Sequence, residues 1–267
     1  MTSLKQLKIP KRLIRDGYIR VAGPAWRDAD GGERFSLFIP TALLDDPSTQ
    51  VLLREEYSGL GYEARERRLT DQLLPDGGLF LDIGAHWGIY TLHALTAPAK
   101  VSVVAVEPDL INLEHLRYNL AENDPEGRAT IVAAAVASET GSLWLRKNTA
   151  MGHHLARNPY RDGDNAVKVS IVTIDDLVAR FDPRGFRPVW IKLDIEGRER
   201  AALEGAIDTL RSGRVAGILW EVRSGGRVNP EAEDIQAFLE SHGLTTWFIN
   251  VDSRLSTPAD GPSPDLG

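Results

Sequence analysis

The chain has 267 residues, 42% hydrophobic and 26% charged, with a net charge of −7 and no cysteine. That composition excludes low-complexity and collagen-like chains. The missing thiol excludes disulfides, thiolate metal sites and a cysteine nucleophile, and points to a reducing, cytoplasmic setting. The acidic balance argues against nucleic acid as a partner, because duplex binders usually carry a basic stripe.

Residues 1–55 read as an N-terminal extension. Its first twenty residues hold Lys5, Lys8, Lys11, Arg12, Arg15 and Arg20 against Asp16, a balance of +5, so the rest carries −12 of the total −7. Pro10, Lys11 and Arg12 interrupt any apolar signal core, and no run has the length of a transmembrane segment. Peripheral contact of this basic start with an anionic surface is one reading. Packing through Leu4, Leu7, Ile9, Leu13 and Ile14 is the favoured one. A turn is expected at Asp28 to Glu33, a strand at 35–39 and a helix over 62–74, stopped by Pro75 to Gly78.

Strands and helices then alternate. Strands are expected at 79–83, 101–106, 129–137, 189–195, 215–222 and 244–251, and helices at 87–97, 109–122, 198–211 and 230–241. Near-continuous apolar strands between helices indicate a parallel sheet covered on both faces. Residues 141–146 and 166–174 read as strands flanking a long polar loop, 147–165, that holds His153 and His154. The tail 256–267, rich in Pro, Gly, Ser and Asp, is expected to be disordered.

The strongest chemistry lies in FLDIGAHWGIYTL at 80–92. A buried strand meets Asp82, then the loop Gly84-Ala85-His86-Trp87-Gly88, then a helix whose first N–H groups and positive dipole end face a ligand. Position 86 is not the glycine of a dinucleotide fingerprint, and no Lys-Ser/Thr pair follows as in a P-loop. Asp82 at the strand tip repels phosphate but favours ammonium or sulfonium. The next strand ends in Glu107-Pro108, where a carboxylate is placed to accept ribose hydroxyls. The two carboxylates describe a pocket for an uncharged ribose with a cationic tail, which S-adenosylmethionine fits.

The chain resembles the FkbM family of class I S-adenosylmethionine-dependent methyltransferases. The resemblance is carried by residues 80–92, VVAVEPDLINLEHLRYNL at 103–120, IVAAAVAS at 131–138, VSIVTIDDL at 169–177, IKLDIEGRERAALEGA at 191–206 and ILWEV at 218–222. Lys192, Asp194, Glu196 and Gly197 form its most specific phrase. Where the family often has Asn after Gly-Ala, this chain has His86; Ala133 stands where a polar residue is common.

The resemblance implies a Rossmann-like α/β fold over residues 56–255, with a mostly parallel seven-stranded sheet and helices on both faces. It implies methyl transfer, usually to hydroxyls of sugars or natural products, leaving S-adenosylhomocysteine. Asp82, Gly84, Ala85, His86, Gly88, Glu107, Pro108 and Ala135 are the expected cofactor contacts, with Glu63 of the pair Tyr62-Glu63 near the methionine end.

On the acceptor side, Asp194 and Glu196 share one side of a continuing strand. Asp194, His153 or His154 are candidates to take the proton of a hydroxyl acceptor. Tyr62, Glu196 and Glu221 are expected at the acceptor, a small molecule or glycan. A divalent metal on Asp194, Glu196 and Glu221 is a lesser alternative. The rival readings are a nicotinamide-dependent oxidoreductase, which the missing glycine triplet disfavours, and a cofactor-binding module without turnover. Oligomeric state is not legible.

Overall fold

The computed structural model describes residues 14–22, 34–57, 61–64, 66–67, 76–96, 101–124, 126–147, 153–156, 166–185, 187–195, 197–224, 227–249 and 255–256. The turn expected at 28–33, the basic residues before 14, Glu196 and the tail beyond 256 lie outside them.

A hairpin opens the described chain: β1 (Ile14–Arg15) and β2 (Tyr18–Val21) turn on Asp16 and Gly17, at φ of 51° and 81°. β3 (Leu37–Pro40) pairs antiparallel with β2, and α1 (Pro47–Tyr57) follows. The sequence patterning missed α1, and the boundary expected at residue 55 falls inside it. Of the helix expected over 62–74, the described part is a turn and short helical stretch ending at Arg67.

The main body runs β4 (Gly78–Ile83), α2 (Ile89–Leu95), β5 (Val101–Val106), α3 (Leu110–Asn123), β6 (Ala129–Val132) and β7 (Ala135–Val136). It continues through β8 (Gly141–Lys147), β9 (His153–Ala156), β10 (Ala166–Val172), α4 (Ile174–Phe181), β11 (Val189–Leu193), α5 (Glu199–Glu204), α6 (Ile207–Arg211) and β12 (Val215–Trp220). β13 (Arg223–Ser224), β14 (Arg227–Val228), α7 (Ala232–Ser241), β15 (Phe248–Ile249) and β16 (Leu255–Ser256) complete it. No helix among the described residues is long and apolar enough to cross a membrane.

The parallel sheet has the order β12-β11-β4-β5-β6. It counts five strands among the described residues, not the seven expected. Among the described residues, the run 244–251 supplies β15, which pairs antiparallel with β16 and not with the parallel sheet. The run 129–137 breaks at Ala133, and β7 leaves to pair with β10 in a second, four-stranded sheet of order β7-β10-β8-β9. The polar loop expected at 147–165 contains β9, the outer strand of that sheet.

The expected strand end at 174 instead begins α4. Thr173 accepts the Asp176 N–H at 3.0 Å, while the Asp176 carboxylate accepts back from the Thr173 N–H and hydroxyl. Thr173 and Asp176 thus form a capping box at the start of α4. The single helix expected at 198–211 divides into α5 and α6 at Gly205, where a Cβ would meet the Ala137 carbonyl oxygen at 2.3 Å.

Strand alternation sorts the core. Leu79, Leu81, Val189 and Ile191 point to one face and pack with Ile174, Leu203 and Ile235. Phe80 and Trp190 point to the other, packing with Ile19, Leu37, Ile39 and Leu53 from the N-terminal segment and with Leu92 and Leu116. By the same period of two, Asp82, Lys192 and Asp194 turn toward the face that the N-terminal segment covers.

A buried ion pair sets where that segment ends. Glu56 is fully buried, bonds Arg67 at 3.1 Å and accepts the Tyr62 N–H at 2.8 Å. Removing one partner of such a pair leaves the other charged and desolvated, at about 3–5 kcal/mol. Glu56→Gln is therefore expected to lower unfolding free energy by about 3 kcal/mol in urea denaturation.

Candidate active site

The strand order reverses between β4 and β11, because the chain winds outward through β5 and β6 and returns to β11 on the other side. Open α/β sheets bind ligands at the carboxyl ends of the strands flanking such a reversal. Those ends carry Asp82 and Gly84 on one strand and Asp194 on its neighbour, with Lys192 directly opposite Asp82 in the register.

Lys192 is the centre of the cluster. Its ammonium donates to Asp194 Oδ2 at 3.1 Å and to the Gly84 carbonyl at 3.4 Å. It lies 3.8 Å from Asp82 Oδ1 and 4.8 Å from the centre of the Tyr90 ring. Burial alone would depress its pKa, but Asp194, Asp82 and Glu63 outweigh it and hold the ammonium well above its usual range. Lys192 belonged to the phrase recognised in the sequence, yet its place between two carboxylates depends on the register of β4 with β11.

Asp82 does not stand open at the strand tip as expected. It is 0% exposed and accepts the Thr91 hydroxyl at 2.6 Å, so it fastens α2 to β4 and balances Lys192. The physical reason is the alternation of β4, which turns position 82 inward beneath the loop.

The glycine loop is also used differently. The N–H groups of Gly84 and Ala85 both donate to the Val106 carbonyl, at 2.9 and 3.0 Å. The His86 N–H donates to Glu107 Oε2 at 2.9 Å, and Gly88 N–H to the Ala85 carbonyl at 2.7 Å. The loop is thus stitched to the end of β5, and these four N–H groups are not offered to a ligand. Its glycines serve close approach: a Cβ on Gly84, at φ 79°, would lie 1.9 Å from the Asp194 carbonyl oxygen.

His86 itself is left-handed, at φ 52°, with its ring stacked on Trp87. Asn and His tolerate that conformation better than most residues, which accounts for His where the family often has Asn.

Glu107 is 4% exposed and is oriented by three donors: His86 N–H, Asp109 N–H at 2.9 Å and Asn112 Nδ2 at 3.3 Å. A carboxylate accepts about four hydrogen bonds, so one acceptor site remains before the long Asn112 contact must yield. Pro108 follows at the half-buried rim, and Asp109 caps α3 through the Ile111 and Asn112 N–H groups.

The N-terminal turn brings Glu63, at φ 47°, against the Tyr62 and Tyr90 hydroxyls and toward Lys192. Burial raises the Glu63 carboxyl, with Lys192 opposing, and burial with Glu63 nearby raises both tyrosines. Two cavities meet at this group. The smaller, about 50 Å³, lies among Tyr62, Gly84, Ala85 and His86; the larger, about 360 Å³, extends over the ends of β11 and β12. Glu63, Tyr90, Lys192 and Asp194 border both.

Glu221, at the end of β12, is exposed and lines the larger cavity with Asp194. Glu66, Trp220, Thr246 and Trp247 also line it and were missed, because they lie far apart in the chain and form no motif. Glu199 was missed too. It is 2% exposed and accepts the Ile195 and Gly197 N–H groups and Asn229 Nδ2, each at 3.2 Å, fixing the turn after β11.

Ala135 is not at the site as expected: it packs with Leu145 and Val169 in a small separate cluster, because β7 has left the parallel sheet. His153 and His154 lie on β9, opposite Lys147 and Arg146, on the outer strand of the second sheet. No group of three or more His, Asp or Glu among the described residues is placed to hold a metal ion.

A parallel sheet reversing at its first strand, with carboxylates around a glycine loop, is the architecture of class I S-adenosylmethionine-dependent methyltransferases. The Methyltransferase FkbM domain matches residues 82–244, and the chain belongs to that family. It is similar to methyltransferase sdnD of Sordaria araneosa, 24% identical over 198 residues, covering 64% of this chain and 75% of that protein. Among solved structures it is similar to the precorrin-6y C5,15-methyltransferase of Geobacter metallireducens, at 17% identity, 70% and 74% coverage and a TM-score of 0.40. It is also similar to PRMT6 with SAH, at 13% identity, 73% and 58% coverage and a TM-score of 0.38. The family match, together with the strand order, carries the assignment. The chain is an S-adenosylmethionine-dependent methyltransferase.

Three outcomes are expected. Gly84→Ala meets both an unfavourable φ and the Asp194 carbonyl, and should cost more than about 2 kcal/mol of stability. At position 86, Asn should be neutral while Val costs about 1–2 kcal/mol, both read from urea midpoints. Burial raises the Glu107 carboxyl above its ordinary 4.5, so from about that pH upward the folded state holds the proton more tightly than the unfolded. Its contribution to stability therefore falls as pH rises through that window. Wild type should lose stability relative to Glu107→Gln as pH rises above 4.5, measured as paired melting curves.

Proposed function

We propose that the chain transfers the methyl group to a hydroxyl of a sugar, glycan or natural-product acceptor, in line. The observation that supports this most is that Asp194 borders both cavities, with Glu63 and the glycine loop on one side and the ends of β11 and β12 on the other. The smaller cavity fits the methionine end of S-adenosylmethionine, since its lining of Glu63 and Asp194 suits cationic ammonium and sulfonium groups. When bound, that cofactor supplies a methyl group already activated by its positive sulfur.

The chain's own residues then divide the work. Glu107, with Pro108 beside it, takes the ribose. Gly84, Ala85, His86 and Gly88 shape the floor, and Glu63 takes the ammonium. Asp82 acts through Thr91 and Lys192, as a positioning residue.

Asp194 accepts the acceptor's hydroxyl proton as the oxygen attacks. Its side chain is 38% exposed, so it reaches an incoming hydroxyl while Lys192 holds it in place. Tyr62, Glu196 and Glu221 orient the acceptor. We prefer Asp194 to His153 or His154 as the base because those histidines lie on the outer strand of the second sheet.

Titration with S-adenosylhomocysteine and a turnover assay test the scheme. Asp194→Asn should lose about 10²–10⁴-fold in kcat and keep S-adenosylhomocysteine affinity within a few-fold. Glu107→Ala should weaken that affinity by roughly tenfold or more. Unchanged turnover in Asp194→Asn would sink the base assignment.

A further inference from the structure

Part of the wall of the smaller cavity comes from the N-terminal segment, through Leu37 of β3 and Thr49 and Leu52 of α1. Thr49 is 1% exposed, and its hydroxyl has no hydrogen-bond partner among the described residues. Its backbone N–H goes to Asp46 Oδ1 at 3.2 Å, and the apolar Leu37 and Leu52 beside it offer the hydroxyl nothing. A buried hydroxyl without a partner is destabilising, and a ligand group that pairs with it relieves the cost.

The methionine end of the cofactor needs such a group. It carries an ammonium and a carboxylate together. Glu63 and Asp194 suit the first and repel the second, so the carboxylate requires a donor elsewhere in the lining. The Tyr62 and Tyr90 hydroxyls are held by Glu63, and Lys192 donates to Asp194 and to the Gly84 carbonyl. The N–H groups of Gly84, Ala85, His86 and Gly88 are spent on Val106, Glu107 and Ala85. Two lining side chains carry a polar hydrogen without a partner among the described residues: the Thr49 hydroxyl and the Trp87 indole N–H. The Trp87 indole is packed into the core against the rings of His86 and His115.

We propose that the Thr49 hydroxyl donates to the methionine carboxylate of S-adenosylmethionine, which makes the N-terminal segment a working part of the cofactor site. The inference rests on the reading of the smaller cavity given above, and it names a contact that precedes the matched family domain at 82–244. Glu63 then takes the ammonium and Thr49 the carboxylate of one ligand group. The buried Glu56–Arg67 pair ties α1 to the turn that carries Glu63, so it sets the spacing of these two contacts.

The test is calorimetric titration of the full chain with two probes: S-adenosylhomocysteine, and its decarboxylated analogue, which keeps the amine. Thr49→Val should weaken S-adenosylhomocysteine about tenfold or more, as expected for a lost hydrogen bond to a charged group, and change the decarboxylated analogue by less than about two-fold. Thr49→Ser keeps the hydroxyl and should hold S-adenosylhomocysteine within about three-fold of wild type. Without ligand, Thr49→Val should melt at the wild-type temperature or above it, because it removes an unpaired buried hydroxyl. Equal loss for both probes overturns the proposal, and so does no loss for either. A lowered melting temperature of unliganded Thr49→Val also overturns it, since the hydroxyl would then be paired already. If Trp87→Phe shows the carboxylate-dependent loss and Thr49→Val does not, the indole is the donor and the Thr49 assignment falls. Failure of S-adenosylhomocysteine to bind the wild-type chain brings down the cofactor reading itself, a result distinct from binding that is indifferent to Thr49.

Discussion

The site depends on one buried cation. Lys192 stands between Asp82 and Asp194, with Glu63 and the Tyr90 ring completing its surroundings. An ammonium taken out of water is costly unless carboxylates surround it, and a carboxylate in the same place is costly without the ammonium. The arrangement therefore stands or falls as a unit. It also joins the two strands that flank the reversal of strand order, so what stabilises the fold there also aligns the acid groups.

Close backbone approach is the second constraint. β4 and β11 converge until the Asp194 carbonyl occupies the space a side chain at position 84 would need. The glycine loop is shaped by that contact and by its bonds to Val106 and Glu107. Glu107 thus has a structural duty before any ligand arrives: it holds the loop through His86 and holds the start of α3 through Asp109 and Asn112. A group already fixed in this way loses little freedom on binding a ligand.

The N-terminal segment is part of the same machinery. Its strands and α1 cover the sheet face toward which Asp82, Lys192 and Asp194 point, and the buried Glu56–Arg67 pair sets the turn that delivers Tyr62 and Glu63. The segment contributes core side chains and one wall of the site together. Two cavities meet there: the smaller faces the glycine loop, and the larger lies over the ends of β11 and β12, with Trp220 and Trp247 in its lining.

The alternation of the parallel strands with their helices, the loop at 84–88, the acidic residue at 107 and the phrase around 192–197 were legible in the sequence. Each is local: apolar runs, glycines and strand-end carboxylates lie within a few residues of one another. Helix α1 was not, because its residues are weakly amphipathic and its burial comes from a sheet face supplied later in the chain. The inward turn of Asp82, the loss of Ala135 to a second sheet and the edge position of His153 and His154 were settled by strand register and pairing. Sequence fixes which side chains alternate along a strand, but the neighbour each one meets is chosen when distant strands pair. For that reason local chemistry named the cofactor class, and only the tertiary structure assembled Glu66, Trp220, Glu221, Thr246 and Trp247 into one wall.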